Sequence, residues 1–185
     1  MAEIIAVVGV VASVASIADE GLKIYGYLNT YIEKIRNTDR DIAGFANDVR
    51  DTSVVLQQLG GSLDLEKETR ICRPEFYHSL SENIQDCAKI FGEIDSTLAQ
   101  SADVVGSEIG RPKTYSMKGR DKFRWPFQHS KVTLLRSDLD RLKKNLHLMI
   151  TVMSHAREVQ VMKEEKQTME KAKEITQKEK ETKYR

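Results

Sequence analysis

The chain has 185 residues and a mass of 21.1 kDa, with 29 Lys plus Arg against 28 Asp plus Glu and a formal net charge of +1. A chain of this length fits one domain and can bury roughly 70% of its unfolded surface, so it needs no covalent staples. Its two cysteines form no disulfide framework, which makes a reducing compartment the default, and the near-zero charge removes any whole-molecule attraction to nucleic acid.

With three prolines, 31% charged residues and few β-branched runs beyond the first twenty positions, the composition is that of a mainly helical protein. From Ile4 to Ala18 the run IIAVVGVVASVASIA carries no charge. A secretory signal would need a basic stretch before it. The one charge there is Glu3, although Ser16-Ile17-Ala18 has the small-residue spacing of a cleavage site. Fifteen helical residues span about 22 Å, short of the roughly 30 Å hydrocarbon core, so the run is not a constitutive membrane anchor. Ile17, Ile24, Leu28, Tyr31 or Ile32, and Ile35 continue it as an amphipathic helix over about residues 3–36.

Thr38 and Asp41 resemble a capping box for a second helix, striped by Ile42, Phe45, Val49, Thr52, Leu56 and Leu59 and expected to stop at Gly60-Gly61. Pro74 suits a first helical position, and Tyr77, Leu80, Ile84, Cys87, Phe91, Ile94 and Leu98 form an unbroken third stripe. In the fourth helix Leu135, Leu139, Leu142, Leu146, Met149, Met153 and Ala156 share one face. Leu134, Leu148, Val152 and Val159 widen that face, so partners are expected all round its first half. After Val161 apolar residues nearly vanish and acids alternate with bases, which predicts a solvated helical extension. It reads equally as a linker towards a further C-terminal region and as a plain helical tail. The expected fold is all-α: a four-helix-type bundle over residues 1–160 with a long apolar first helix and a long last helix, then a charged extension over 161–185.

No chemistry is encoded at recognisable spacing. There is no GxxxxGK[ST] loop, and glycines 9, 21 and 26 fall inside a helical pattern, so nucleotide binding has no support. Gly106-Ser107-Glu108-Ile109-Gly110 lacks nucleophile-elbow spacing, has no expected strand before it, and reads as a loop. His78, His129, His147, His155, Cys72 and Cys87 show none of the short pair spacings that tetrahedral zinc needs, and structural roles are expected for all six. No catalytic residue, cofactor or metal is expected.

Two features remain. Small residues recur four apart in the first segment, as Ala2 and Ala6, Gly9 and Ser13, Ala12 and Ser16. That spacing suits close helix approach in a membrane, but spacing alone favours the buried central helix of a soluble bundle. The stretch from Arg111 to Lys144 carries eleven Lys or Arg against Asp121, Asp138 and Asp140, a net of +8. Within it Lys122-Phe123-Arg124-Trp125-Pro126-Phe127 interleaves bases with aromatics, as an anionic membrane surface would favour at roughly 1 kcal/mol per basic residue. The alternative is a surface loop whose Trp125 and Phe127 pack onto the bundle. Lys113, Lys118, Arg120, Lys122, Arg124 and Lys131 are the candidate headgroup contacts. Nucleic acid is a weaker reading, because no reading helix or stacking sheet accompanies the charges.

MAEIIAVVGVVASVASIADEGLKIYGYL, then Asp39-Arg40-Asp41-Ile42, then RWPFQHSKVTLLRSDLDRLKKNLHLMITVM together resemble the HeLo-like N-terminal domains of fungal NOD-like receptors and related STAND proteins. The likeness covers residues 1–160 and lies in helix order, the small-residue apolar start and the Trp before a Leu-rich last helix. It implies a non-enzymatic cell-death effector, similar to the HeLo domain of the fungal incompatibility prion protein and to the four-helix bundle of the necroptosis executioner. In that group a regulatory C-terminal region or upstream receptor drives homo-oligomerisation, and the N-terminal helix then permeabilises the membrane. Carried onto this chain, the inserting residues would be Ile4, Ile5, Val7, Val8, Gly9, Val10, Val11, Val14 and Ile17. The partners would be anionic membrane lipids and further copies of the chain, with a cytoplasmic location at rest and the plasma membrane on activation. The alternative is a soluble adaptor that only oligomerises. No amyloid motif or nucleotide-binding region follows Val161 within this sequence, so the trigger is not legible in it.

Overall fold

The computed structural model describes residues 2–34, 40–69, 71–101, 103–105, 114–116 and 127–183, with the side chains of residues 9–33 described on the first helix. Four helices form the architecture: α1 (Ala2–Lys34), α2 (Arg40–Thr69), α3 (Pro74–Ser101) and α4 (His129–Lys183). The all-α bundle expected from the four apolar stripes is the observed fold.

A short ribbon joins α3 to α4. Strand β1 (Asp103–Val105) pairs antiparallel with β2 (Thr114–Ser116), Val104 opposite Tyr115. A strand therefore does precede Gly106, contrary to the expectation, but it leads into a paired strand instead of a helix. Gly106–Gly110 itself lies outside the described residues.

The core is built from one face of each helix. Val14, Ala18, Ile24 and Leu28 of α1 meet Phe45, Val49, Leu56, Leu59 and Leu63 of α2, and Leu80, Cys87, Phe91 and Ile94 of α3. From α4 come Leu135, Leu139, Leu142, Leu146 and Met153. The helices are arranged as a square in which α1 packs chiefly on α2 and α3, while α4 packs on the same two from the other side. So α1 and α4 are diagonal, and α1 is retained mainly by two neighbours.

Two expectations are corrected. The second helix does not stop at Gly60-Gly61 but runs eight residues further, to Thr69. Two glycines cost a helix roughly 2 kcal/mol against alanine, and the fully buried Leu63 and Glu66 continue the inward stripe and offset that cost. The fourth helix is not surrounded by partners, since Leu134, Leu148 and Val152 are 55%, 64% and 45% exposed. They form a separate apolar face turned to solvent, away from the Leu135–Met153 stripe.

Long-range ion pairs fix α4 against its neighbours. Arg136 Nε donates to Asp48 Oδ2 at 2.8 Å and its Nη1 lies 3.7 Å from Asp41, while Lys143 Nζ lies 3.8 Å from Asp48. Lys131 pairs with Glu93 of α3, and Asn145 donates to Asn83 Oδ1 at 3.0 Å. Several bases of the +8 stretch are thus matched by acids from other helices, a balance invisible to a local charge count.

Candidate functional site

The uncharged start of α1 is amphipathic by size, not by polarity. Val14, Ile17 and Ala18 are buried and Val10 and Val11 half-buried, whereas Gly9, Ala12, Ser13, Ala15 and Ser16 face outward. The residues shown to water are therefore only Gly, Ala and Ser. This corrects the reading of α1 as a central helix buried all round. It also places the described small-residue pairs, Gly9 with Ser13 and Ala12 with Ser16, on the outside and not at a helix contact. The Ser13 hydroxyl donates to the Gly9 carbonyl at 2.9 Å, so its donor is satisfied within the helix. Ile4, Ile5, Val7 and Val8 belong to the helix, with side chains outside the described residues.

Close approach occurs lower on α1. Gly21 is buried where α2 and α3 converge: a Cβ there would lie 2.5 and 2.7 Å from Phe91 Cε2 and Cζ and would also collide with the Ser53 hydroxyl. Ser53 is itself buried and donates to the Val49 carbonyl at 2.8 Å, so it cannot swing away without losing a bond. Nearer the N-terminus, a Cβ at Gly60 of α2 would lie 3.6 Å from Val14 Cγ1, an ordinary contact. Charge first appears after the apolar run at the exposed Asp19, and the Arg50 guanidinium lies 5.7 Å over the Tyr25 ring, pinning α1 to α2.

The same end of the bundle is closed by a polar knot. Glu66 is fully buried and accepts from the Cys72 backbone N–H at 2.6 Å, the Tyr77 hydroxyl at 2.9 Å and the Thr69 hydroxyl at 3.3 Å. Burial is the largest single influence and raises its pKa, but the donors from Cys72, Tyr77 and Ile71 together prevail and hold it below the usual value. The carboxylate thereby fastens the α2–α3 turn. Arg157 of α4 reaches the Ser62 carbonyl at 3.4 Å, which ties α4 to this end as well.

The basic segment joins the bundle at the other end. Phe127 is 4% exposed and packs edge-on against Phe45, with ring centroids 5.6 Å apart. It is a core residue and not a headgroup anchor. Phe45 and Gly60 are fifteen residues apart on α2, about 22 Å, so the point where this segment enters α4 is well separated from Val14. Of the six headgroup candidates, Lys131 is bound to Glu93, and Lys113, Lys118, Arg120, Lys122 and Arg124 lie outside the described residues, as does Trp125.

Among the described residues no group of His, Cys, Asp and Glu could hold a metal ion. Burial first, then nearby carboxylates, pushes the Cys72 and Cys87 thiols up to about 12, so both are protonated at neutral pH. His147 is exposed, one residue past the buried Leu146. Among the described residues no helix is long and apolar enough to cross a membrane. Comparison with protein-family models, curated proteins and solved structures finds no match for this chain. The class defined by the fold is a helical bundle.

Proposed function

We propose that this chain is a non-enzymatic cell-death effector domain of the HeLo-like kind, whose N-terminal helix leaves the bundle and enters a membrane when copies cluster. The observation that carries the reading is the size pattern of α1. The helix hides Val14 and Ile17 at rest yet shows water no charge between Gly9 and Ala18. A face of Gly, Ala and Ser, with the Ser13 hydroxyl bonded within the helix, is tolerated by water and by hydrocarbon alike. The same helix can therefore occupy two environments, and its position is set by which contacts are stronger. The uncharged run spans about 22 Å, enough to thin or breach a leaflet in an assembly of several copies. Anionic lipids would draw the domain in through its basic segment, from a cytoplasmic resting location to the plasma membrane, with a regulatory region or upstream receptor supplying the clustering.

A second reading is favoured by the solvent-facing apolar stripe of α4: a soluble adaptor that oligomerises without touching lipid. Dye release from anionic vesicles separates the two, using Gly9→Asp and Ala12→Asp. Both positions are exposed in the bundle, so fold and melting temperature should be unchanged, while a carboxylate at membrane depth costs roughly 2.5 to 3.5 kcal/mol. Release by the wild type that either substitution abolishes supports insertion. Release that is indifferent to both contradicts insertion through α1, and no release at any lipid composition supports the adaptor.

A further inference from the structure

The bundle ends near residue 160, yet α4 continues to Lys183, and every side chain described from 161 to 179 is exposed. Most helical stability in proteins comes from tertiary packing of an apolar face, and the described part of this extension has none. Its outer face is not uniformly polar. Leu148, Val152, Val159, Met162 and Met169 follow one another at steps of four, seven, three and seven, the rhythm of heptad positions a and d. Leu148, Met162 and Met169 are each more than half exposed, and the stripe lies apart from the inward Leu139–Met153 face. Further along, Met169, Ala172, Lys173, Thr176 and Gln177 line an open depression on the same face. The first four have the i, i+3, i+4 and i+7 spacing of the four-residue hole which receives a knob from a facing helix.

We propose that this face, from Leu148 to Thr176, pairs with the same face of a second copy of the chain as a parallel two-stranded coiled coil. Charge selects the occupant. Acids Glu158 and Glu165 flank one side of the stripe and Lys163 the other, so a parallel partner sets Glu158 of each copy against Lys163 of the other. The next rung brings Glu165 near Glu170, with Lys166 in the seam between them to neutralise the pair. A membrane would meet Glu158 and Glu165 at the edge of the apolar stripe, which disfavours it as occupant. With His155, Lys166, Lys173 and Thr176 at seam positions the pairing is weak and concentration-dependent, a property suited to a contact formed on clustering. Its use rests on the proposed function; its existence does not.

Sedimentation equilibrium of residues 1–185 without lipid tests it, so dye release plays no part in the outcome. Self-association is expected, weakened at least tenfold by Met162→Lys with Met169→Lys, with the melting temperature of the dilute monomer unchanged because both side chains are exposed. Val161→Lys and Ile175→Lys, on the opposite side, should leave it intact. Glu158→Lys and Lys163→Glu should each weaken it, and mixing the two variants should restore it. A wild-type chain that remains monomeric at its highest soluble concentration overturns the proposal. So does association that survives the double methionine substitution, or that Val161→Lys removes equally.

Discussion

Gly21 of α1 lies so close to Phe91 of α3 that a single added carbon would stand 2.5 Å from the ring edge, far inside contact distance. Ser53 closes the same gap from α2 and can turn away only by giving up its bond to the Val49 carbonyl. Gly21→Ala should therefore cost about 1 to 3 kcal/mol by overpacking and should push α1 outward. Gly26, with nothing within 4 Å of its would-be Cβ, is the control: Gly26→Ala should stabilise by up to about 1 kcal/mol. Urea melts give both values. If insertion follows release of α1, Gly21→Ala should also lower the protein concentration at which dye escapes.

Leu146 and Leu148 are two residues apart on α4 with opposite fates, 0% and 64% exposed. Leu146→Ala should cost about 2 to 5 kcal/mol, and Leu148→Ala should fall within about 0.5 kcal/mol of wild type. Chemical denaturation of the two variants checks the assignment of inward and outward faces directly.

That pair also shows how far the sequence could be read. The third helix was legible because one stripe, Leu80 to Leu98, stands alone against polar residues, and periodicity then names the buried face. On α4 two apolar stripes overlap, and no local rule says which one meets the bundle. The end of α2 is not legible because Gly60-Gly61 is a strong local stop signal, while the signal that overrides it is the burial of Leu63 and Glu66, a tertiary effect. Arg136 and Asp48 are 88 residues apart, so their bond leaves no local trace. In the candidate site the absence of charge was plain, but the sorting of small residues outward and large ones inward appears only once the positions of α2 and α3 are known.

Glu66 makes stability depend on acid. Its folded-state pKa is lowered, so its contribution is present above the ordinary value of 4.5 and is lost as the pH falls through the folded value. Glu66→Ala would leave the Tyr77 hydroxyl and Cys72 N–H without their acceptor and should cost about 2 to 4 kcal/mol at neutral pH. Urea midpoints for wild type and Glu66→Gln should differ at pH 7 and converge as the pH falls below the lowered folded-state value. A gap that is constant with pH would show that the charge on Glu66 contributes nothing.

Electrostatic attraction to headgroups predicts a salt effect. Neutralising Lys122 and Arg124 should weaken binding to anionic vesicles with helical content unchanged. Added salt should weaken wild-type binding, because exposed charges are screened beyond about 8 Å at physiological ionic strength. Vesicle co-sedimentation on neutral and anionic lipid measures this, and equal binding to both would remove the step. Lys131, held by Glu93, should matter less than the other bases.

The central claim, that α1 must leave the bundle, is tested most directly by tying it down. Val14 and Gly60 face each other across α1 and α2: a Cβ at Gly60 would lie 3.6 Å from Val14 Cγ1, close to where the sulfur of Val14→Cys would stand, so a cystine needs only a small approach of the two helices. Cys72 and Cys87, both protonated at neutral pH, would compete little for the new thiols. Dye release from anionic vesicles by Val14→Cys/Gly60→Cys is then measured oxidised and after reduction. The account predicts no release while the disulfide is closed and recovery once it is opened. Release as fast from the oxidised form as from the reduced form would contradict it.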